Sequence, residues 1–281
     1  MKNKNIKSIL THDKASNRIY LMHLHQDDFP EIINYMEDLS NEFSYTKIFA
    51  KVPSMFAPLF FKAGYIIEAA IPRFFKGEGD VLFLAKYKSS ERQIPENDSL
   101  ELFQNLLGNA PSVNKMQLDK DYSIRKLTVD DVGSMIVVFK QVFETYPFPI
   151  FEPQFLTESI QENKTLYFGI YCEGNLIAVS SAECDNDEQN AEMTDFAVLP
   201  QYRGKRFAFN LLSYMENELF KSNFKTLYTI SRLKSFSMNK TFYNSGYKYS
   251  GTLVQNTQIS GNIESMNVWY KNINTNTQYS K

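Results

Sequence analysis

The chain has 281 residues and a formal net charge of −2, and its 43% hydrophobic content is enough to fill two cores. There is no basic tail or Lys/Arg block of the kind a dedicated nucleic-acid binder carries. Two isolated cysteines, Cys172 and Cys184, supply neither a disulfide framework nor a thiolate metal site.

In chain order, the polar residues 1–7 lead into no signal-type apolar stretch, and later apolar runs are broken by Pro58, Lys62, Gly64 and Glu68 before they could cross a bilayer. A cytoplasmic protein is expected, with small-molecule partners, no nucleic acid and no membrane. Residues 18–24 read as a strand. His23 and His25 at its end have no convincing partner set, so no metal is expected. Asp27 or Asp28 then opens a helix carrying Phe29, Ile32, Ile33, Met36, Leu39 and Phe43 at helical spacing. A strand at 46–52, a short helix at 55–62 ended by Gly64, and strands at 65–71 and 81–87 follow. The order is β-α-β-α-β-β. Residues 89–98 are polar and contain Pro95, an exit from the first unit. Residues 100–107 suit a short bridging helix, and the boundary is placed near residue 118, giving domains 1–117 and 118–281.

The second unit begins with a strand at 122–127 and a helix from about 130 to 144, on which Val132, Met135, Ile136, Phe139, Val142 and Phe143 share one face. An aromatic, Pro-broken loop follows, Tyr146-Pro147-Phe148-Pro149-Ile150-Phe151, then a hairpin of strands at 165–171 and 176–184. The next strand, from Glu192 to Val198, runs into a basic turn, Gln201-Tyr202-Arg203-Gly204-Lys205-Arg206, and then into a helix with Ala208, Leu211, Leu212, Met215 and Leu219 on one face. This is a phosphate-binding layout. A helix start offers unpaired N–H groups and the positive end of its dipole, Gly204 permits close backbone approach, and Arg203, Lys205 and Arg206 add charge. A strand at 225–232, a helix at 235–244 before Gly246, and strands at 247–254 and 263–271 complete the chain.

From the strand at 192 onward the order is again β-α-β-α-β-β. Gly64-Tyr65 matches Gly246-Tyr247, and Phe60-Phe61 lies close to the register of Phe242-Tyr243. The N-terminal unit therefore reads as a decayed copy of the second half of the C-terminal unit. Its counterpart of the phosphate turn is His25-Gln26-Asp27-Asp28-Phe29-Pro30, with two carboxylates and no glycine, so this copy is expected not to bind the same ligand.

Across residues 122–273 the sequence resembles the GNAT family of N-acetyltransferases. The resemblance rests on Gln201 and Gly204 of the family's acetyl-CoA motif, on the strand order and on Gly246-Tyr247; Arg206 stands where that motif has a small residue. A resemblance over both units, to the family's β-lysine N-acetyltransferases, is carried by residues 45–53, 143–149, 193–198 and 264–271. It implies an α/β GNAT fold, a mixed twisted sheet flanked by helices, with a degenerate GNAT-like N-terminal domain. It also implies acetyl-CoA as co-substrate, no metal, and a monomer or homodimer. The implied reaction is acetylation of the ε-amine of β-lysine to give a zwitterionic compatible solute. A polyamine or diamine N-acetyltransferase and a non-catalytic acyl-CoA sensor are the alternatives.

By the same resemblance, Glu192 is the base that deprotonates the ammonium and Asp195 the carboxylate that holds the substrate cation. In a regular strand these two would face opposite sides, unless a bulge intervenes. Tyr243 is the candidate acid, displaced by one residue from the family's usual tyrosine. Phe196, Ala197 and Val198 offer backbone to the pantetheine arm and the thioester, and Gln201, Arg203, Gly204, Lys205, Arg206, Phe207 and Ala208 hold the pyrophosphate. Ser235, Asn239 and Phe242 are further CoA contacts. Tyr146, Phe148 and Glu264 enclose the amine.

Overall fold

A computed structural model describes residues 6–112, 118–146, 148–259 and 261–273. The N-terminal half contains β1 (Ile9–Asp13), β2 (Arg18–His23), α1 (Glu31–Phe43), β3 (Lys47–Pro53), α2 (Ala57–Lys62), β4 (Ile66–Phe75) and β5 (Gly79–Tyr87). α1 turns Ile32, Ile33 and Met36 inward, as its spacing predicts, and stops at Ser44, whose left-handed backbone bonds back to Ser40 and Asn41. β1 is an addition to the expected elements. Its residues are mostly exposed, so they leave no alternating pattern to read.

α3 (Asn97–Leu107) leads into the C-terminal half: β6 (Tyr122–Lys126), α4 (Val132–Val142), α5 (Pro153–Gln161), β7 (Thr165–Cys172), β8 (Asn175–Asp185), β9 (Asn190–Val198), α6 (Phe207–Lys221), β10 (Thr226–Arg232), α7 (Phe236–Asn244), β11 (Lys248–Ile259) and β12 (Asn262–Asn272). α5 was not expected. It buries only Leu156 and Ser159, too sparse a stripe to see in sequence.

All strands join one 12-stranded sheet in the order β1-β2-β3-β5-β4-β11-β12-β10-β9-β8-β7-β6. The order β2-β3-β5-β4 mirrors β9-β10-β12-β11, and in each set the first pair is parallel. The expected repeat is therefore present in the fold, and side chains fix its register. Phe60 packs edge-on against Tyr65 at 5.1 Å, and Phe242 against Tyr247 at 5.1 Å. Lys86 pairs with Glu37 of α1 at 2.8 Å, and Lys271 with Glu216 of α6 at 2.8 Å.

The two copies meet at β4 and β11, where Ala69 pairs with Gly251. Each residue lies at the same remove from its copy's glycine (64 to 69, 246 to 251), so the seam is isologous, as in a two-fold dimer. A Cβ on Gly251 would lie 1.9 Å from the Glu68 carbonyl oxygen, so only glycine permits this approach. Buried charge reinforces the join. Lys47 Nζ bonds Glu68 at 2.8 Å and donates to the Val254 carbonyl at 2.7 Å, while Val254 N–H donates to Glu68 at 2.7 Å.

The sheet bends so that its halves face each other. α1 and α2 pack on the N-terminal half and α4 to α7 on the C-terminal half, while Phe49, Phe74, Phe83, Tyr228, Leu253 and Val268 fill the space between the inner faces. Phe74 and Tyr228 meet there at 5.1 Å. α3 packs on the C-terminal core through Phe103, against Tyr249 at 4.9 Å and Trp269 at 5.8 Å. The boundary expected near residue 118 adjoins 113–117, which lie outside the described residues.

Candidate active site

β9 pairs with β8 along most of its length but with β10 only at residues 190–192. Beyond Glu192 and Tyr228 the two parallel strands diverge, and a cavity of about 320 Å³ opens between them. Its floor includes Thr194, Phe196, Ile230 and Ser231, and Ser235, Met238 and Phe242 of the α7 region close one side. β3 and β2 of the other copy close the opposite side with Lys51, Phe49, Tyr20 and Arg18.

Glu192 and Asp195 both line this cavity, although a regular strand would separate them. The reason is a bulge. Asp195 adopts φ +54, and the β8–β9 register slips between Val179/Ala197 and Ser181/Thr194. Asp195 is 6% exposed, and both its oxygens are engaged: Tyr146 Oη donates to Oδ1, and Ser181 Oγ donates to Oδ2 at 2.5 Å. Burial raises its pKa, and the Ser181 and Tyr146 bonds pull it back part of the way.

Glu183 of β8, absent from the expected site, lines the same cavity. Enclosure by protein raises its pKa, and the neighbouring Glu192 and Asp195 add to the rise. Burial likewise raises Glu192, opposed by Lys51 and by a bond from Tyr228. Lys51 itself is lowered by burial, against the attraction of Glu192, Asp185 and Glu183. Three carboxylates around one cavity, Asp195 buried, Glu192 half-buried and Glu183 exposed at its rim, form a site for a cation and a sink for its proton. Glu183 has a faint sequence signal, an acidic residue directly after the uncharged run 176–182. Lys51 and Tyr20 have none, because only the fold brings them near β9.

The expected phosphate turn is where the sequence puts it. Gln201, Arg203, Gly204, Lys205 and Arg206 are exposed, Gly204 has φ +83, and no side chain caps α6. Arg206 is left-handed, φ +59, which explains why a small residue suits this position. Phe207 does not face the turn's surface. It is buried, with Tyr122 at 4.8 Å, while Lys205 Nζ donates to the Tyr122 hydroxyl at 2.7 Å. Ala208 is half-buried on the first turn of α6, and Ala197 and Val198 continue β9 toward it.

Three expected site residues serve elsewhere. The Tyr243 hydroxyl donates to the Asn109 carbonyl at 2.6 Å, on the α3 side, so it points away from the cavity. Asn239 is fully buried, and its Oδ1 accepts from Trp269 at 2.9 Å, Asn267 at 3.0 Å and Ser231 at 3.1 Å. It is a structural hub. Glu264 holds Arg232, a cavity residue, through two bonds of 2.8 Å, and so acts on the site through that arginine. Tyr146 and Phe148 do line the cavity, whereas Pro147 lies outside the described residues. His25 caps a short turn, His12 meets the Tyr45 hydroxyl at 2.7 Å, and no metal-binding group occurs among the described residues.

Residues 135–243 match the sequence profile of the acetyltransferase (GNAT) family. The chain is 35% identical over 268 residues to a Methanococcus maripaludis protein named beta-lysine N(6)-acetyltransferase, covering 94% of this chain and 96% of the relative. The chain belongs to the GNAT family. It is similar, at 29% identity over 73% of its length and 83% of the relative's, to a Methanosarcina mazei protein of the same name. A Bacillus subtilis relative, N-acetyltransferase YodP, is 27% identical over 97% of this chain and 98% of its own. The chain is thus an N-acetyltransferase rather than a non-catalytic sensor, and acetyl-CoA is the acetyl donor of this family. Among the described residues, no helix is long and apolar enough to cross a membrane.

Proposed function

We propose that this N-acetyltransferase moves an acetyl group from acetyl-CoA to the ε-amine of β-lysine. One observation carries the reading: the carboxylates of Glu183, Glu192 and Asp195 line a single cavity where β9 parts from β10. Acetyl-CoA fits the chain at two places. The exposed turn at 201–206 with the uncapped α6 suits its pyrophosphate, and the gap between β9 and β10, walled by Phe196 and Phe242, suits the pantetheine arm. The N-terminal copy presents Asp27 and Asp28 before α1, and Asp28 Oδ2 accepts from Ser8 Oγ at 2.6 Å, so one CoA per chain is expected.

Bound acetyl-CoA supplies the electrophilic thioester carbonyl. The chain's own groups prepare the amine. Asp195, fixed by Tyr146 and Ser181, holds the incoming ammonium, and Glu192 removes its proton, directly or through one water. Backbone N–H groups of the unpaired stretch of β9 polarise the carbonyl, and attack by nitrogen releases the thiol, protonated from water or from the substrate's ammonium. The product keeps one ammonium and one carboxylate and so has zero net charge, the chemistry of a cytoplasmic compatible solute. The test is to incubate the protein with acetyl-CoA and candidate amines and to follow free thiol. Release that depends on β-lysine is expected; faster release with spermidine than with β-lysine would overturn the substrate assignment.

A further inference from the structure

The cavity is acidic at one end only. Arg18 and Tyr20 come to it from β2 of the N-terminal copy, and Glu183, Glu192 and Asp195 from β8 and β9 of the other. Arg18 lies over the Tyr20 and Phe49 rings, with its guanidinium carbon 5.2 and 5.8 Å from their centres. Its Nε is buried with no hydrogen-bond partner, and no carboxylate lies within ion-pair distance of it among the described residues. A guanidinium N–H buried without an acceptor costs about 1–3 kcal/mol in a folded chain. Such a group, facing a cavity, is a site for an anion.

A second orphan sits beside it. Asn256 lines the cavity, is 2% exposed, and its Oδ1 accepts no hydrogen bond. It lies in a bulge of β11, where the β12 register slips between Leu253 and Thr257, and the bulge turns it out of the ladder. Its neighbours tie it to the Arg18 end. Gln258 N–H donates to Ser16 Oγ at 3.3 Å, and Arg92, bound to the Gln255 carbonyl at 2.8 Å, also donates to the Ser16 carbonyl. An unpaired N–H donor and an unpaired acceptor at one end of a cavity suit a carboxylate with a neighbouring ammonium.

We propose that Arg18 and Asn256 form a head-group site that binds the carboxylate and amino group of a diamino acid, leaving its far amine among Glu183, Glu192 and Asp195. The proposal rests on the acetyl-transfer reading above and deepens it. Specificity for an amino acid over a polyamine, and for the terminal amine over the inner one, then comes from the non-catalytic copy, which contributes Arg18, together with the seam strand β11. The length between the two ends selects which nitrogen reaches the thioester.

The test is calorimetric titration of the full-length protein, loaded with CoA, with β-lysine and with its methyl ester. The parent protein is expected to bind the acid roughly 100-fold more tightly than the ester, the size of a charge-assisted hydrogen-bonded pair. Arg18→Met is expected to abolish that preference, Arg18→Lys to keep about a tenth of it, and Asn256→Ala to weaken binding about tenfold. Arg18→Lys gives the same reading if the Met variant fails to fold. Equal binding of acid and ester by the parent protein, or equal loss of both in Arg18→Met, would overturn the head-group site. L-lysine and L-ornithine separate the two readings. If one of these binds with the same dependence on Arg18 and β-lysine does not, the substrate assignment fails and the head-group site stands. If spermidine binds and no carboxylate-bearing diamine does, the head-group site falls.

Discussion

At the scale of single residues, the roles proposed for Glu192 and Asp195 follow from their partners. Asp195 has both oxygens bonded by neutral hydroxyls, so it is held in place as an anchor. Glu192 faces Lys51 and Tyr228 and is the better placed to exchange a proton. Its pKa is raised, chiefly by burial, so kcat/KM should rise with pH through a limb lying above the ordinary glutamate range, as the base form appears. Glu192→Gln should remove that limb, leave only the substrate amine's own ionisation at higher pH, and lower kcat/KM at neutral pH roughly 100-fold. A pH–rate profile decides it; an unchanged profile would leave water as the base. Both carboxylates were legible in the sequence through its resemblance to the GNAT family, at their distance from the turn at 201–206. Glu183 and Lys51 were not, because their roles depend on strands that lie apart in the sheet.

At the scale of elements, β9 is productive because it is irregular. It stops pairing with β10 after Glu192 and bulges at Asp195, which opens the cavity and turns two carboxylates into it. The turn that follows ends in Arg206, held left-handed at about 1–2 kcal/mol for a residue with a side chain. Arg206→Gly should therefore raise stability by about 1 kcal/mol. If the guanidinium pairs with a CoA phosphate, the same change should weaken CoA about tenfold. Thermal unfolding and CoA titration measure the two effects separately. The displacement of Tyr243 also belongs to this scale. One residue along a helix is a turn of about 100°, and it carries the hydroxyl from the cavity side of α7 to the α3 side.

At the scale of the whole molecule, one chain builds what two chains of a dimer would otherwise share. The seam at Ala69 and Gly251 joins two copies of one topology into one sheet, and the copy with acidic residues at its turn supplies a cavity wall. Gly251→Ala would force a Cβ to within 1.9 Å of the Glu68 carbonyl oxygen. It should cost about 3 kcal/mol or more and displace Asn256 on the same strand. A lowered Tm accompanied by weaker β-lysine binding is expected; an unchanged Tm would mean the seam yields without cost.

The sequence by itself determined most of the local elements, the repeat and the turn at 201–206, and its resemblance to the GNAT family singled out two carboxylates. The elements, the repeat and the turn are written in short-range periodicity and in glycine placement. Only the tertiary structure decided that Glu192 and Asp195 share a cavity, that Tyr243 and Asn239 look away from it, and that Arg18, Lys51 and Asn256 look in. Those outcomes depend on a bulge, on helix rotation and on a sheet bent until strands far apart in its order face each other. Pairings of that kind are set by the packing of whole surfaces, which no window of neighbouring residues records.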